Sequence, residues 1–204
     1  MTSLMRFALP IALAATLGGC SLGGLLGGGG KAPPTLLTLT PEAPDPGPST
    51  RIAAAGQAIS VLQPILPKEL RTVRVPAQIS PTDVQYITNL QMVDTPDHLF
   101  QGLLAETVRR TTNRIVLDTG MSNLDPGLIV SGQLQRFGYD AQTGQVVAEY
   151  DGVLSTTSGT RVETRRFVAR QPADGTAATV GPALNRAANQ VAAEAAQWIG
   201  SATL

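Results

Sequence analysis

The chain has little of the side chains on which most enzyme and metal chemistry depends. Its 204 residues include one cysteine, Cys20, and one histidine, His98. A Ser-His-Asp or Cys-His arrangement needs a histidine beside its nucleophile, and a metal site usually needs several converging His, Cys or carboxylate ligands. The sequence offers neither pattern. We therefore predict a protein that is not an enzyme and that uses no cofactor or metal.

Charged and aromatic residues are also scarce. The 15 basic residues balance the 15 acidic ones, and aromatic residues make up 4% of the chain, so alanine, valine and leucine must fill most of the core. Nucleic-acid binding depends on a basic surface that neutralises phosphates, and the neutral composition therefore argues against nucleic acid as a partner. After the N-terminal region the sequence has no further apolar run long enough to span a membrane.

The first twenty residues have the layout of a secretory signal. Arg6 precedes an apolar run over residues 7–17, which is shorter than the roughly 20 residues of a membrane-spanning helix. Small residues follow, and the stretch Leu17-Gly18-Gly19-Cys20 resembles the lipobox of bacterial lipoproteins. The resemblance implies that residues 1–19 are removed as a lipoprotein signal peptide. It also implies that the thiol and the new amino group of Cys20 are acylated.

Lipidation of Cys20 predicts where the protein resides. The resemblance implies two acyl chains on the thiol of Cys20 and one on its amino group. Stable anchoring takes more than one acyl chain, so these three would hold the protein on a membrane essentially permanently. The alternative is an ordinary signal peptide with an incidental cysteine, which would leave an unpaired thiol in an oxidising compartment. Ser21 stands where lipoproteins retained at the inner membrane commonly carry aspartate. We therefore expect a cell-envelope location, with the periplasmic face of the outer membrane favoured over the inner membrane.

The composition divides the mature chain into two parts. Residues 20–34 are rich in glycine, which favours a flexible tether over a packed structure. Residues 35–200 have the length and apolar content of one folded domain. We therefore predict a tether at 20–34 and a single domain at 35–200.

Alternating apolar and β-branched segments predict a largely antiparallel sheet. In the first half we predict strands at 35–39, 58–65, 72–76 and 115–117, and a hairpin of 84–87 with 90–93 about Thr88 and Asn89. In the second half we predict a meander of strands at 128–139, 146–154 and 161–168, with turns at 142–144 and 158–159. A bulge is expected near Arg136 or Gly138.

Two helices are predicted from apolar residues at helical spacing. The first follows Thr95 as a possible cap, with Pro96 at its first position. The second covers 181–199, with Pro182 in its first turn. One face of the first helix carries Leu99, Phe100, Leu103, Leu104 and Val108. One stripe of the second carries Leu184, Ala188, Val191, Ala195 and Trp198, while Asn185, Arg186, Asn189 and Glu194 fall largely outside it. These elements predict an α+β fold, a largely antiparallel sheet with two main helices packed on one face.

The order of these features resembles the ABC-type transport auxiliary lipoprotein family, which includes the paraquat-inducible protein C type. The resemblance covers nearly the whole mature chain. It rests on patterns of sequence, namely the lipobox at 17–20, Leu36-Leu-Thr-Leu-Thr-Pro41, Ile59-Ser-Val-Leu-Gln-Pro64, Val84-Gln-Tyr-Ile87, Leu99-Phe-Gln-Gly-Leu-Leu104, Val130-Ser-Gly-Gln-Leu-Gln-Arg-Phe137 and an alanine-rich C-terminal helix.

The family resemblance implies a fold, a function and partners. The fold would be a small α+β sandwich like the N-terminal domain of TolB. The function would be that of an auxiliary subunit beside a transporter of the mammalian-cell-entry type, which moves lipids between the two membranes. The implied partners are the membrane, through acyl chains on Cys20, a periplasmic mammalian-cell-entry-type protein and ABC transporter subunits.

The remaining polar residues have simple structural interpretations. His98 is expected to be a surface histidine near a helix start, and Asp118, Asp125 and Asp140 are expected to be turn residues. Arg161, Arg165, Arg166 and Arg170 give one strand a basic character. We interpret them as solvated charges on an edge strand, with contact to acidic lipid headgroups or an acidic partner as the sharper alternative.

Two functions from different classes remain open on the sequence alone. The first is a lipoprotein subunit that works by docking to transporter components. The second is a lipid-binding carrier or chaperone that holds an acyl chain in a cavity. A filled core would favour docking, and a large apolar cavity would favour carrying.

Overall fold

The computed structural model of the chain describes residues 35–117 and 125–202. Within these ranges it forms an α+β fold, as predicted. Its strands are β1 (Ile59–Val61), β2 (Arg74–Ser80), β3 (Asp83–Gln91), β4 (Val116–Leu117), β5 (Leu128–Asp140), β6 (Gln145–Thr156) and β7 (Val162–Pro172). Its helices are α1 (Pro96–Thr111) and α2 (Ala177–Ser201), with a short 3₁₀ helix at Lys68–Leu70. The predicted signal peptide at 1–19, the tether at 20–34 and Cys20 lie outside the described residues and stay predictions.

The long strand β5 organises the sheet. It pairs antiparallel with β6 along its whole length, and β6 pairs antiparallel with β7. On its other side, the start of β5 pairs parallel with β1 and its end pairs parallel with β2. Strand β4 extends the sheet beyond β1, and β3 extends it beyond β2. The sheet is therefore mixed: the long pairings are antiparallel, as expected, and the parallel ones span two or three residues.

The predicted meander is confirmed as β5, β6 and β7. A register shift lies between Leu134 and Arg136 of β5, so the expected bulge is present at Gln135. The predicted turns are also found, and Gly144 and Gly159 in them have φ angles of 65° and 70°. Glycine adopts this left-handed region without the steric cost that a Cβ would add.

Both helices pack on the same face of the sheet around one aromatic cluster. Phe100 of α1 lies 5.0 Å from the ring of Tyr150 on β6. Tyr150 stacks on its cross-strand partner Phe167, and Phe167 lies 5.6 Å from Trp198 of α2. Such pairs add about 0.5–1.5 kcal/mol each beyond their buried area. The phenol of Tyr150 donates a 2.6 Å hydrogen bond to the carbonyl of Ser131, so its polar end is satisfied inside the core.

Helix α2 begins earlier than the sequence predicts. Proline was expected in its first turn, but the helix starts at Ala177 and Pro182 lies inside it. In the loop before the helix, the carboxylate of Asp174 accepts hydrogen bonds from the backbone N–H and the hydroxyl of Thr176, the residue that precedes the helix, at 2.9 and 2.7 Å. These bonds order the loop that leads into α2, and the proline does not mark the start of the helix.

The predicted hairpin about Thr88 and Asn89 is wrong. Residues 83–91 form one continuous strand, β3, and the hairpin turn lies at 81–82 between β2 and β3. Asn89 instead adopts a φ of 58° inside the strand, a conformation that asparagine tolerates better than most residues. Two steps along β2 there match five steps along β3, so the strand bulges.

The short strands of the first half are also revised. Predicted strand 35–39 is a single parallel bridge between Leu37 and Met92. Predicted strand 58–65 becomes β1, followed by a second bridge at Ile65. The strand predicted at 72–76 runs from Arg74 to Ser80, and the one predicted at 115–117 is the half-buried two-residue β4. Because Pro64 lacks an N–H, it interrupts the ladder after β1.

Candidate functional site

The lone histidine lies at the surface, as predicted. His98 stands in the first turn of α1, and its Nδ1 lies 3.1 Å from the Oδ1 of Asp94, with both side chains about half exposed. The hydrogen bond to Asp94 raises the pKa of His98 above its ordinary value and lowers the pKa of Asp94. The pair stabilises the start of the helix, and its chemistry is that of a surface ion pair.

The carboxylates predicted to serve turns do so where they are described. Asp140 accepts hydrogen bonds from the backbone of Gln142 and Thr143 in the β5–β6 turn, and from Arg136 at 2.9 Å. Burial opposes ionisation of Asp140, but these donors outweigh it and its pKa is lowered. Asp125 accepts from the N–H of Gly127. Asp118 lies outside the described residues.

The basic strand is β7, and it pairs with β6 alone among the described strands. Arg166 forms ion pairs with Asp151 at 2.6 Å and with Glu149 at 3.2 Å, which neutralises part of its charge locally. Arg165 lies over the ring of Phe167 at 5.3 Å. The solvated edge interpretation fits these contacts, and the alternative of lipid or partner contact stays a prediction.

An N-terminal strap, residues 37–43, is fixed across the fold before β1. Leu37 donates to Gln91 at 2.8 Å and accepts from Val93 at 2.9 Å, which attaches the strap to the end of β3. The side chain of Asn189 accepts from the N–H of Glu42 at 2.8 Å and donates to the carbonyl of Thr40 at 2.9 Å. The strap is thereby attached to β3 and α2 together.

The strap corrects one expectation about α2. The sequence places Asn189 outside the apolar stripe, but its side chain is 7% exposed and lies among buried neighbours. Its amide hydrogen-bonds to the backbone of the strap. A helical wheel of α2 alone cannot show this contact with a distant segment. Asn185 assists by accepting from the N–H of Thr40 at 2.9 Å. An asparagine among the alanines of a predicted helix was the available sign in the sequence that this position is buried.

A surface groove runs between α1 and the strand pair β1–β4. We call it the α1 groove, and its volume is about 570 Å³. Residues 61–63 and 116–117 form one wall. The other wall is a stripe of α1 at helical spacing, formed by His98, Gln101, Gly102, Ala105 and Arg109. The amide of Gln101 donates to the carbonyl of Val61 at 2.8 Å and ties the two walls together.

An arginine cleft adjoins the α1 groove, since Arg109 and Val116 line both. Its volume is about 390 Å³. Four guanidinium groups, those of Arg51, Arg109, Arg110 and Arg114, line it together with the two carboxylates of Asp45 and Glu106. In a chain without net charge this is a local excess of positive charge.

The arginines of the cleft also hold the surrounding chain in place. Arg110 contacts Glu106 at 2.7 Å and donates to the carbonyl of Ala43 at the end of the strap. Arg51 donates to the carbonyl of Thr112 at 2.9 Å, just beyond α1, and Arg114 donates to the carbonyl of Ala202. Arg109 contacts Glu106 at 3.4 Å. Bonds from a guanidinium to neutral carbonyls leave its charge in place.

Neither the groove nor the cleft was predicted from the sequence. Basic residues near the end of a helix suit its dipole, so the arginines of α1 gave no separate sign of a cleft, and Arg51 was not singled out. Gly102, an interior helical glycine, was the available signal. Among the described residues we find no group of His, Cys and carboxylate side chains placed to hold a metal ion. Neither described helix is long and apolar enough to cross a membrane.

Comparison with known proteins gives one family match. A model of the family described as "ABC-type transport auxiliary lipoprotein component" matches residues 37–196. The match begins at the strap and ends within α2, so it includes both walls of the α1 groove. No curated protein matches the chain.

Two crystal structures have a similar fold. A protein of family DUF330 from Xanthomonas campestris is 17% identical and superposes with a TM-score of 0.64 over 82% of this chain and 92% of its own. An uncharacterised protein is 15% identical, with a TM-score of 0.58 over 74% of this chain and 96% of its own. At these identities the likeness concerns the fold alone.

Proposed function

Because the chain belongs to the family of ABC-type transport auxiliary lipoprotein components, we propose that it is a lipid-anchored docking subunit of an envelope lipid-transport system. The family match over residues 37–196 carries this proposal. Membership associates the chain with ABC-type transport and with the cell envelope. The proposal adds the transported class, lipids, and the partner, a periplasmic protein of the mammalian-cell-entry type. It assigns no catalytic reaction to the chain.

The packing of the domain favours docking over lipid carrying. The side chains between sheet and helices form one continuous buried cluster, with Phe100, Leu134 and Leu184 among its fully buried members. An acyl chain held inside the fold would have to displace these contacts. The α1 groove and the arginine cleft are instead open to solvent, and both include charged side chains.

The proposed anchor explains how a docking subunit reaches its partner. Acyl chains on Cys20 would fix one end to the membrane, with the periplasmic face of the outer membrane favoured. Thr35 lies fifteen positions after Cys20, and a fully extended chain of that length spans at most about 50 Å. The domain would then meet partners within this distance of the membrane surface.

Crosslinking in cells tests the docking function. The full-length chain is crosslinked, purified under denaturing conditions and probed for the mammalian-cell-entry-type protein of the same organism. We expect recovery of that protein with the unmodified chain. A Cys20→Ala variant, compared in parallel, should lose palmitate labelling and membrane fractionation. If crosslinked complexes contain no transporter component, the docking function is wrong.

Native mass spectrometry tests the carrier alternative. The full-length protein is released from detergent and weighed under native conditions. The docking proposal expects the mass of the acylated chain with no additional lipid. A stoichiometric second lipid that survives gentle activation would instead support carrying.

A further inference from the structure

Gly102 is an interior helical residue with no packing reason to be glycine. It lies in the middle of α1, where glycine costs about 1 kcal/mol relative to alanine. A Cβ built on Gly102 would meet no atom within 4 Å outside its own helix surroundings. The fold itself therefore does not need a glycine here. What the missing side chain provides is open space in the wall of the α1 groove, where another backbone can approach closely.

The dimensions of the groove suit an extended chain. Its helical wall runs from His98 to Arg109, which at 1.5 Å per residue is about 16 Å. An extended polypeptide rises about 3.3 Å per residue, so about five residues fit along this wall. The volume of about 570 Å³ lies in the range of binding sites that enclose a ligand of moderate size.

The walls of the groove alternate apolar and amide chemistry. Leu62 is 37% exposed on the strand side and offers apolar contact. Gln63 and Gln101 bring side-chain amides, each able to donate and accept hydrogen bonds as a peptide backbone requires. Gln101 uses one N–H on the carbonyl of Val61, and its remaining N–H and oxygen provide further bonding capacity.

The charge at one end of the groove gives it a direction. Arg109 lies at the junction with the arginine cleft, where four guanidinium groups outnumber two carboxylates. Arginine binds carboxylates through paired hydrogen bonds, and arginine clusters are a recurrent means of recognising acidic motifs. An occupant is therefore expected to carry an acidic side chain at this end.

We propose that the α1 groove is the docking site for an extended, acidic segment of the partner polypeptide. The segment lies along α1 over Gly102, with its acidic side chain in the arginine cleft. The site rests on the proposed docking function and names the surface that performs it. An acyl chain fits less well, because it would cover the polar side chains of Gln63, His98, Gln101 and Arg109 without offering them a hydrogen bond.

Blocking the groove at Gly102 is the principal test. We would measure the affinity of full-length, detergent-solubilised protein for the purified periplasmic part of the mammalian-cell-entry-type protein. Gly102→Trp fills the groove, while the control Ala193→Trp places the same side chain on the exposed face of α2. We expect Gly102→Trp to weaken binding by about tenfold or more, as loss of a central contact does. Ala193→Trp should bind as the unmodified chain does.

The outcomes of this test separate the site from the function. If the unmodified chain and Gly102→Trp bind equally well, the groove is not the docking site, while the docking function stands. If the unmodified chain does not bind at all, both the function and the site are rejected. Circular dichroism and thermal unfolding of Gly102→Trp must match the control, because the space above residue 102 is open. A variant that unfolds is replaced by Leu62→Asp, with Ile65→Asp outside the groove as its control.

The arginine end is tested by neutralising one charge. Arg109→Gln should weaken binding by about two- to fivefold at low salt, in the range of an exposed ion pair. Arg186→Gln on the exposed side of α2 serves as the control. The difference between the two variants should shrink as salt screens the interaction. If both variants weaken binding equally, the partner does not place an acidic side chain in the arginine cleft, and that part of the proposal is wrong.

A vesicle experiment distinguishes the polypeptide from a lipid. The same variants are mixed with phosphatidylglycerol vesicles, and sedimentation measures the bound fraction. A polypeptide site predicts that Gly102→Trp and Ala193→Trp sediment alike. A loss of vesicle binding specific to Gly102→Trp would overturn the proposal and assign the groove to a lipid.

Discussion

The two helices pack on the same face of the sheet but differ in how much of their surface is buried. Helix α2 is long and rich in alanine, and it buries a broad face against β6, β7 and α1, with Leu184 and Val191 fully buried. Helix α1 buries Phe100 and Leu104, and it turns a second stripe, centred on Gly102, toward an open groove.

The difference separates a structural role from a binding role. Alanine lets α2 approach the sheet closely, and the apolar residues on the face of α2 that packs against the sheet are buried within the domain. Helix α1 uses part of its surface for the core, and Gly102 and Arg109 on another part line the groove. Substitutions on the buried face of α2 should therefore change stability, whereas substitutions on the groove stripe of α1 should change binding.

The largest expected effect is on the buried face of α2. Leu184→Ala removes a fully buried side chain, and cavities of this kind cost about 2–5 kcal/mol of unfolding free energy. Leu62→Ala in the groove should change stability by less than about 0.5 kcal/mol, as exposed substitutions usually do. Urea unfolding measures both. Similar losses for the two variants would contradict the division of roles.

The attachment of the strap to α2 gives the next effect. Asn189→Ala leaves the N–H of Glu42 and the carbonyl of Thr40 without their side-chain partner. We expect a loss of about 1–3 kcal/mol, the cost of unsatisfied buried polar groups. Hydrogen exchange should show faster exchange of the Glu42 amide. An exchange rate unchanged from the parent protein would mean that the strap is held by other contacts.

The groove glycine should respond in the opposite direction. Gly102→Ala is expected to raise stability by up to about 1 kcal/mol, because alanine favours helix and its Cβ meets open space. As a control, Gly138→Ala should destabilise the protein, since its Cβ would clash with the carbonyl oxygen of Pro76. Thermal unfolding compares the two. A loss of stability in Gly102→Ala would show that Gly102 serves the fold after all.

The smallest expected effect concerns pH at the two helix starts. Asp94 raises the pKa of His98 above 6.5, and the pKa of Asp94 is itself lowered below 3.8. The pair therefore stabilises α1 fully between pH 3.8 and 6.5, and it is lost as pH rises through the value of His98 or falls through that of Asp94. Hydrogen bonds from Thr179 and Thr176 lower the pKa of Asp174 to about 2, so the contribution of these bonds before α2 is complete above pH 3.8 and is lost toward pH 2. NMR titration of His98 in the parent and in Asp94→Asn checks the first shift. If the pKa of His98 is equal in the two proteins, the ion pair with Asp94 does not form.

The sequence was sufficient for the parts of the fold that depend on local patterns. The meander β5–β7 and the buried face of α1 follow from alternation and helical spacing, and the bulge at Gln135 was expected near Arg136. It was insufficient where residues from distant segments meet. Asn89 is a residue type that favours turns, but pairing of β3 with β2 keeps it inside a strand. Asn189 has a polar side chain, but the strap buries it.

The candidate site was less predictable than the fold. The α1 groove requires β1 and β4 to pair in parallel beside α1, and this pairing joins segments more than fifty residues apart. The arginine cleft likewise depends on Arg51 returning to the end of α1. Gly102 alone carried a local sign, a glycine where helix propensity favours almost any other residue.

The position of the strap has a mechanical consequence. If the chain is held at Cys20 while a partner pulls on the domain, tension enters through Leu37, whose paired backbone bonds to Gln91 and Val93 lie at the edge of the sheet. The force then passes to Asn189 in the middle of α2 before it reaches β1. Tension on the N-terminal segment would therefore break the hydrogen bonds of Leu37 first, and it would reach the aromatic cluster in the core last.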